Sequence, residues 1–289
     1  MIKPMLCRRE REPFVNPNYL FEVKYDGIRI IATTGETCSL QARSGTDKTR
    51  LFPELDIQTK KPAVLDGEIV CYDEDGKSQF NGIQHRANRA NNIEWAVKTY
   101  PAHLIVFDIL SVAGQDIQSA PLRTRKEILE ALLIPTDNVK IAPHTSDGVY
   151  LYNKIKADHM EGVVGKLLNG RYSQGKRDWI KVKVPQMGSF VICGYTQGTG
   201  WRASTFGALV LGLPTEQGLL YIGSVGTGFN DAEIERICQK IFSQPVVTCP
   251  FGREPEKATW IKPEIFCLVE YLELTKDNRL RFPSYKGMV

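Results

Sequence analysis

The string Glu22-Val23-Lys24-Tyr25-Asp26-Gly27-Ile28-Arg29 sets a lysine between two apolar stretches, with an Asp-Gly turn and an arginine after it. A lysine amine attacks phosphorus only when uncharged, and cationic neighbours with partial burial lower the cost of losing its proton. Arg29, Lys181 and Lys183 are candidates for those neighbours. Lys181 and Lys183 sit two apart in Trp179-Ile180-Lys181-Val182-Lys183, so on a strand both project from one face and can converge on one phosphate. Taken alone, the first string also fits an exposed hairpin with a solvated lysine, and the second fits the polar face of an amphipathic strand. The second alternative loses weight because adjacent like charges repel unless an anion neutralises them.

The elements that would hold these residues follow from periodicity and turn signals. Tyr19 to Thr33 reads as strand, Asp26-Gly27 turn and strand; Ala63 to Tyr72 and His103 to Val112 read as further strands. Arg123 to Leu133 has helical apolar spacing, Asp147 to His159 reads as a second helix, and Trp179 to Val184 as a short strand. Pro185-Gln186-Met187-Gly188-Ser189 is the candidate linker, which places a domain boundary near residue 186 and gives domains 1–186 and 187–289. Beyond it, Ser189 to Tyr195, Phe206 to Leu213, Leu219 to Val225 and Ile265 to Leu274 read as strands with one helix at Asp231 to Phe242, the pattern of a small oligonucleotide-binding (OB) barrel. The fold class expected is α+β, antiparallel sheets with helices followed by the barrel.

A chain of 289 residues with 42% hydrophobic content can furnish a core for each of two domains. Its first residues form no secretory signal and no apolar run is long enough to span a bilayer, which points to the cytoplasm. The seven cysteines are scattered with no zinc-type pairing, and are expected to be reduced and mostly buried. A net charge of +4 does not by itself imply nucleic acid. Clusters matter more for phosphate binding, and four occur: Arg8/Arg9/Arg11, Arg86/Arg89, Arg123/Arg125/Lys126 and Arg171/Lys176/Arg177. Each taken alone is more simply read as a solvated face.

The chain holds more strings, in order: Arg43-Ser44-Gly45, Leu65-Asp66-Gly67-Glu68-Ile69-Val70, Phe107-Asp108-Ile109-Leu110 and Glu161-Gly162-Val163-Val164-Gly165-Lys166. With the two lysine strings they resemble the nucleotidyltransferase motifs of ATP-dependent DNA ligases, most of all the ligase domain of bacterial and archaeal end-joining enzymes. The likeness continues through Cys193-Gly194-Tyr195-Thr196 and Gly223-Ser224-Val225-Gly226-Thr227-Gly228-Phe229, which look like the OB domain of those ligases, so nearly the whole chain is covered.

The resemblance implies that Lys24 forms a phosphoramide with AMP, that Glu22 helps to recognise adenine, and that Arg29 contacts the ribose. It implies that Phe107 stacks on the base, that Glu68 serves the ribose and the metal, and that Glu161 is a metal-site carboxylate for Mg²⁺ or Mn²⁺. Lys181 and Lys183 would hold the α-phosphate, and Arg43 the nicked strand beside the nucleotide site. The implied activity is sealing of 5′-phosphate/3′-hydroxyl breaks in duplex DNA, in DNA repair, by a monomer in the cytoplasm at the nucleoid, with a Ku-type end-binding protein as partner. With Lys24 near the start, no helical DNA-binding domain is expected before the core, so DNA would be gripped by the core itself through salt-sensitive phosphate contacts.

One departure stands out. Arg281-Phe282-Pro283-Ser284-Tyr285-Lys286-Gly287-Met288-Val289 matches the start of the family's last motif, and the further arginine and acidic-basic pair expected after it are missing. Either the chain is clipped there or ATP loading is weak. Rival readings are an RNA ligase or mRNA-capping guanylyltransferase, which share the lysine strings, and a non-catalytic single-strand-binding OB protein with aromatics such as Trp201.

Overall fold

The structure is a computed structural model that describes every residue except Met1, Glu74, Asp75, Lys77, Gln79, Asn88, Arg89, Ala90, His159, Glu254 and Lys276, and the side chains of Phe80 and Asn81. It divides into two compact units, Met1–Val184 and Pro185–Val289.

In the first unit, one sheet runs in the order β1 (Cys7–Arg9), β13 (Trp179–Lys183), β12 (Gly162–Leu167), β2 (Tyr19–Val23), β11 (His144–Thr145). The second runs β10 (Val139–Ile141), β7 (Ala102–Val112), β6 (Ala63–Cys71), β3 (Ile28–Thr33), β4 (Ser39–Ala42), with β8 (Gln115–Asp116) added to β7. The short strands β5 (Gln58–Thr59) and β9 (Leu133–Ile134) pair with each other.

Side-chain alternation along these strands makes three apolar layers. Phe21 and Val23 in β2 and Ile180 and Val182 in β13 point away from the second sheet; Val163, Ile180 and Val182 pack with Ile155 of α4 (Gly148–Ala157). Ile30, Leu65, Leu104 and Val106 of the second sheet bury Leu129 of α3 (Leu122–Leu132) and Ile83 of α1 (Phe80–Ala87). Between the sheets, Ile31, Val70, Ile105 and Phe107 meet Met5, Tyr172 and Trp179. A short helix, α2 (Ile93–Thr99), follows α1.

The second unit is one antiparallel sheet, β16 (Gly218–Val225), β15 (Phe206–Thr215), β14 (Gln186–Gln197), β17 (Thr259–Tyr271), β18 (Ser284–Met288). Helix α5 (Asp231–Phe242) lies between the third and fourth of its strands in chain order and buries Ile234, Ile237 and Ile241 against Leu209, Leu211 and Val269. The Asn230 side chain caps it, accepting from the Glu233 amide at 2.8 Å.

Three expectations need correction. The linker expected at Pro185–Ser189 is mostly strand: Gln186 to Ser189 already pair with Tyr271 to Leu268, and only Pro185, which lacks an N–H for a ladder, precedes the first pair. The basic cluster at Arg123/Arg125/Lys126 is no phosphate-binding patch, because Arg125 and Lys126 are 0% and 4% exposed. Arg86 is also buried, donating to both oxygens of Glu54, while Arg89 and the expected helix end at His159 lie outside the described residues.

Candidate active site

Lys24 sits one residue past the end of β2, where its amide donates to the Gly162 carbonyl at 2.8 Å. A side chain at Gly162 would put its Cβ 2.2 Å from the Val182 carbonyl, so glycine lets β12 close on β13 here. Gly162 pairs with Lys183, and Val164 with both Lys181 and Glu22, so the strand pleat sends Glu22, Lys24, Lys181 and Lys183 to the same side. Glu161, just before β12, then receives two of them. Lys24 Nζ lies 2.5 Å from Oε2 and Lys183 Nζ 2.7 Å from Oε1.

The opposite wall comes from the second sheet. Val64, Asp66, Glu68 and Val70 alternate on the β6 face that looks inward, and Arg29 stands directly across from Glu68 in β3. Arg29 grips Asp66 with both arms of its fork, Nε to Oδ1 at 2.5 Å and Nη2 to Oδ2 at 2.6 Å. Gly27 allows the approach of β3: a Cβ there would stand 2.2 Å from the Ile69 carbonyl. The β6–β7 ladder steps once from Asp66 to Gly67 while β7 steps twice from Asp108 to Val106, leaving Phe107 as a bulge residue beside the cavity.

A cavity of about 80 Å³ lies between the walls, lined by Cys7, Glu22, Lys24, Arg29, Glu68, Phe107, Lys166 and Trp179 among others. Of the expected site residues, the fold brings Glu22, Lys24, Arg29, Glu68 and Phe107 to this cavity. Glu161 and Lys183 adjoin it through Lys24, and Lys181 shares the Lys183 face of β13. Arg43 is elsewhere: it is exposed and lines a neighbouring groove of about 430 Å³ that shares Arg29 and Glu68 with the cavity.

Charge dominates the site. Burial would raise the Glu22 carboxyl, but Lys166 and Lys126 on its two oxygens outweigh it and hold it below the usual carboxylate range. Burial pushes the Lys166 ammonium down, against the pull of Glu22. Glu68 is pushed up to about 7 by burial, which Arg29 and Lys24 only partly offset. Asp26 is also raised, by burial and by the charge of Glu161. Phe107 is only 7% exposed, and its ring is covered by Arg29 at 4.4 Å and Lys166 at 4.2 Å from the centroid, so a base could use this surface only as these cations shift.

Glu161 and Glu68 are the carboxylates that would hold a divalent cation. Among the described residues no group of three or more His, Cys, Asp or Glu gathers for a metal. Mg²⁺ is commonly bound through one or two carboxylates together with substrate phosphates, so this pair fits a cation that arrives with its nucleotide.

The residue order alone points to no role for Asp66, Tyr172 or Trp179, and to none for Lys126 beyond its basic cluster. Asp66 carried a signal, being two residues before Glu68 on a strand and so on the same face. Lys126 and Arg125 carried another: Leu122, Arg125, Leu129 and Leu132 follow helical spacing, which puts the basic pair at the buried stripe of α3. Arg125 uses that position to bind both oxygens of Asp108, at 2.7 and 2.9 Å.

Comparison with known proteins gives these walls a family. The model for the ATP dependent DNA ligase domain matches residues 4–183 and that for the ATP dependent DNA ligase C terminal region matches residues 202–288. The chain belongs to the ATP-dependent DNA ligases. It is 35% identical to the multifunctional non-homologous end joining protein LigD of Mycolicibacterium smegmatis, over 93% of this chain and 36% of that protein. The chain thus spans about a third of the length of the LigD relatives it matches. It is 29% identical to the SPbeta prophage-derived DNA ligase-like protein LigB of Bacillus subtilis, over 99% of this chain and 98% of that one. Among solved structures, the ligase domain of M. tuberculosis LigD aligns with a TM-score of 0.58 at 26% identity, covering 100% of this chain and 95% of that one. A mycobacterial DNA ligase D complexed with ATP and MES aligns at 0.57 and 26%, with the same coverage. The fold is accordingly the family's adenylation domain followed by an OB-fold domain, in the α+β class.

Proposed function

We propose that this ligase seals 5′-phosphate/3′-hydroxyl breaks in duplex DNA through a lysyl-AMP on Lys24 and a DNA-adenylate, as the catalytic core of an end-joining repair enzyme. The observation that carries the reading is the pair of lysines, Lys24 and Lys183, held on the one carboxylate of Glu161 at the edge of a cavity walled by Arg29, Glu68, Phe107 and Lys166. Lys24 Nζ attacks the α-phosphorus of ATP and expels pyrophosphate, with Glu161 the nearest base to its proton. Lys183 and Lys181 neutralise the phosphoryl oxygens, Arg29 and Glu68 bind the ribose, and Glu22 and Phe107 hold the adenine. A divalent cation on Glu161 and Glu68 would offset phosphate charge when bound. The AMP then passes to the 5′-phosphate of a break, and the 3′-hydroxyl displaces it.

DNA would approach along a basic edge that the fold assembles from two distant clusters. Arg177 Nη1 donates to the Cys7 carbonyl at 3.2 Å and the Leu6 amide to the Lys176 carbonyl at 2.7 Å, which sets exposed Arg8 and Arg11 near Arg171, Lys176 and Arg177. Arg43 in its groove would meet the nicked strand. The LigD relatives named for non-homologous end joining support repair as the role, and the partner proposed for that role is a Ku-type end-binding protein. No helix among the described residues is long and apolar enough to cross a membrane, which fits a cytoplasmic enzyme at the nucleoid.

Intact mass spectrometry after incubation with ATP and Mg²⁺ tests the reading. The expected result is a species heavier by one AMP, mapped to Lys24 and abolished by Lys24→Ala, that seals nicked DNA. An adduct formed from GTP alone, or sealing of RNA but not DNA, would make the chain a guanylyltransferase or an RNA ligase instead.

A further inference from the structure

We propose that Tyr172 is a positioning residue for nucleotide binding, acting through Asp66 on Arg29; the proposal rests on the reading that Arg29 faces the nucleotide. Tyr172 lies outside the motif strings, on the segment joining β12 to β13, yet it is 5% exposed and its hydroxyl reaches the site's opposite wall. Oη donates to Asp66 Oδ2 at 2.5 Å and accepts from the Met5 amide at 3.0 Å. The Met5 carbonyl in turn accepts from Arg29 Nη2 at 3.4 Å, and Arg29 binds both oxygens of Asp66. Arg29, Asp66, Tyr172 and Met5 thus close a ring of hydrogen bonds, with the guanidinium carbon 4.4 Å from the Phe107 centroid and 5.0 Å from that of Trp179.

The ring fixes which edge of Arg29 a ligand can use. Nε and Nη2 are committed to Asp66 and Met5, so Nη1 is the edge offered to a ribose or phosphate oxygen. Asp66 is fully buried and can swing only if a partner lets go; among the described residues the neutral side chain that holds it is Tyr172. Without the phenol, Oδ2 keeps Arg29 alone and the Met5 amide loses its acceptor, so the fork can rotate with its carboxylate. The phenyl ring, edge-on to Trp179 at 5.9 Å, remains to hold the packing. A second tether on the same segment provides a comparison: Gln174 accepts from the Lys3 amide and donates to Gln118, and touches neither Asp66 nor Arg29.

The test is steady-state sealing of saturating nicked DNA by the full chain with ATP varied in the presence of Mg²⁺, with labelled ATP reporting the lysyl-AMP adduct. Tyr172→Phe should raise KM for ATP roughly tenfold, as expected for losing a hydrogen bond to a charged group, with kcat within about twofold. Gln174→Ala should leave KM unchanged. Placed in an Arg29→Gln background, Tyr172→Phe should add nothing further to KM, since its effect runs through Arg29. An unchanged KM for Tyr172→Phe overturns the proposal, as does an increase that persists undiminished without Arg29, because that would be a general structural effect. A wild-type chain that forms no adduct sinks the nucleotidyl-transfer reading and the clamp with it; a wild type that loads normally beside an unaffected Tyr172→Phe sinks the clamp alone.

Discussion

The Glu161 carboxylate lies 2.5 Å from the Lys24 amine, and Lys183 occupies its other oxygen at 2.7 Å. The same two lysines are the ones proposed to meet phosphate, so the carboxylate holds the place of an anion until a nucleotide enters. Glu161→Gln leaves two ammonium groups facing each other and should cost about 1–3 kcal/mol in urea unfolding. ATP without metal should then raise the melting temperature more in the variant than in the wild type, because the triphosphate supplies the missing charge. Equal shifts would show that the lysines are not the phosphate's partners.

Arg125 and Asp108 are both 0% exposed and bound through two nitrogens and two oxygens. Replacing Arg125 by Met strands a buried carboxylate, and chemical denaturation should register a loss of about 3–5 kcal/mol. Arg123→Ala, two residues away and exposed, should fall within about 0.5 kcal/mol of wild type.

Glu68 titrates near 7 in the folded chain, above the ordinary carboxylate value of 4.5. Between these values the folded state keeps a proton that the unfolded chain has released, so stability from this group is fully present below about 4.5 and is lost as pH rises through 7. Melting temperatures measured in chelator across that window should therefore decline less steeply for Glu68→Gln than for the wild type. Parallel curves would remove Glu68 as the buried acid responsible.

Gly27→Ala brings a methyl group 2.2 Å from the Ile69 carbonyl, which only a shift of β3 away from β6 can relieve. Overpacking of this kind should cost about 1–3 kcal/mol, and moving β3 carries Arg29 with it, so ATP affinity should fall as well. Gly252→Ala, which meets nothing within 4 Å, is the comparison and should change neither quantity.

Much of this site could be read from residue order. The paired lysines of β13 were legible because a two-residue period places them on one face, Lys24 because it follows a strand and precedes a turn, and Glu68 through the resemblance of its motif string. What escaped depended on long-range pairing or on a misread phase. Arg8 and Arg9 group by charge with Arg11 in the sequence; Cys7–Arg9 is a strand only because it runs parallel to Trp179–Lys181, far away in the chain. Arg125 and Lys126 were grouped with Arg123 by charge, although helical spacing puts them among leucines. Helices α1 and α2 were not anticipated, since neither Phe80–Ala87 nor Ile93–Thr99 spans enough turns to display an apolar stripe. Tyr172 gave no local sign of its role, which exists only where the segment before β13 folds back on Met5 and Asp66.

The bulge at Phe107 makes this wall far more sensitive to chain length than to residue identity. The aromatic is aimed by an extra step of backbone and has no counterpart across the ladder. Removing Phe107 would mend the ladder with Asp108 still opposite Asp66 and still bound to Arg125, so the wall would lose its aromatic face while its acids stayed in register. Substitutions at 107 would retune the surface, whereas a deletion would erase it.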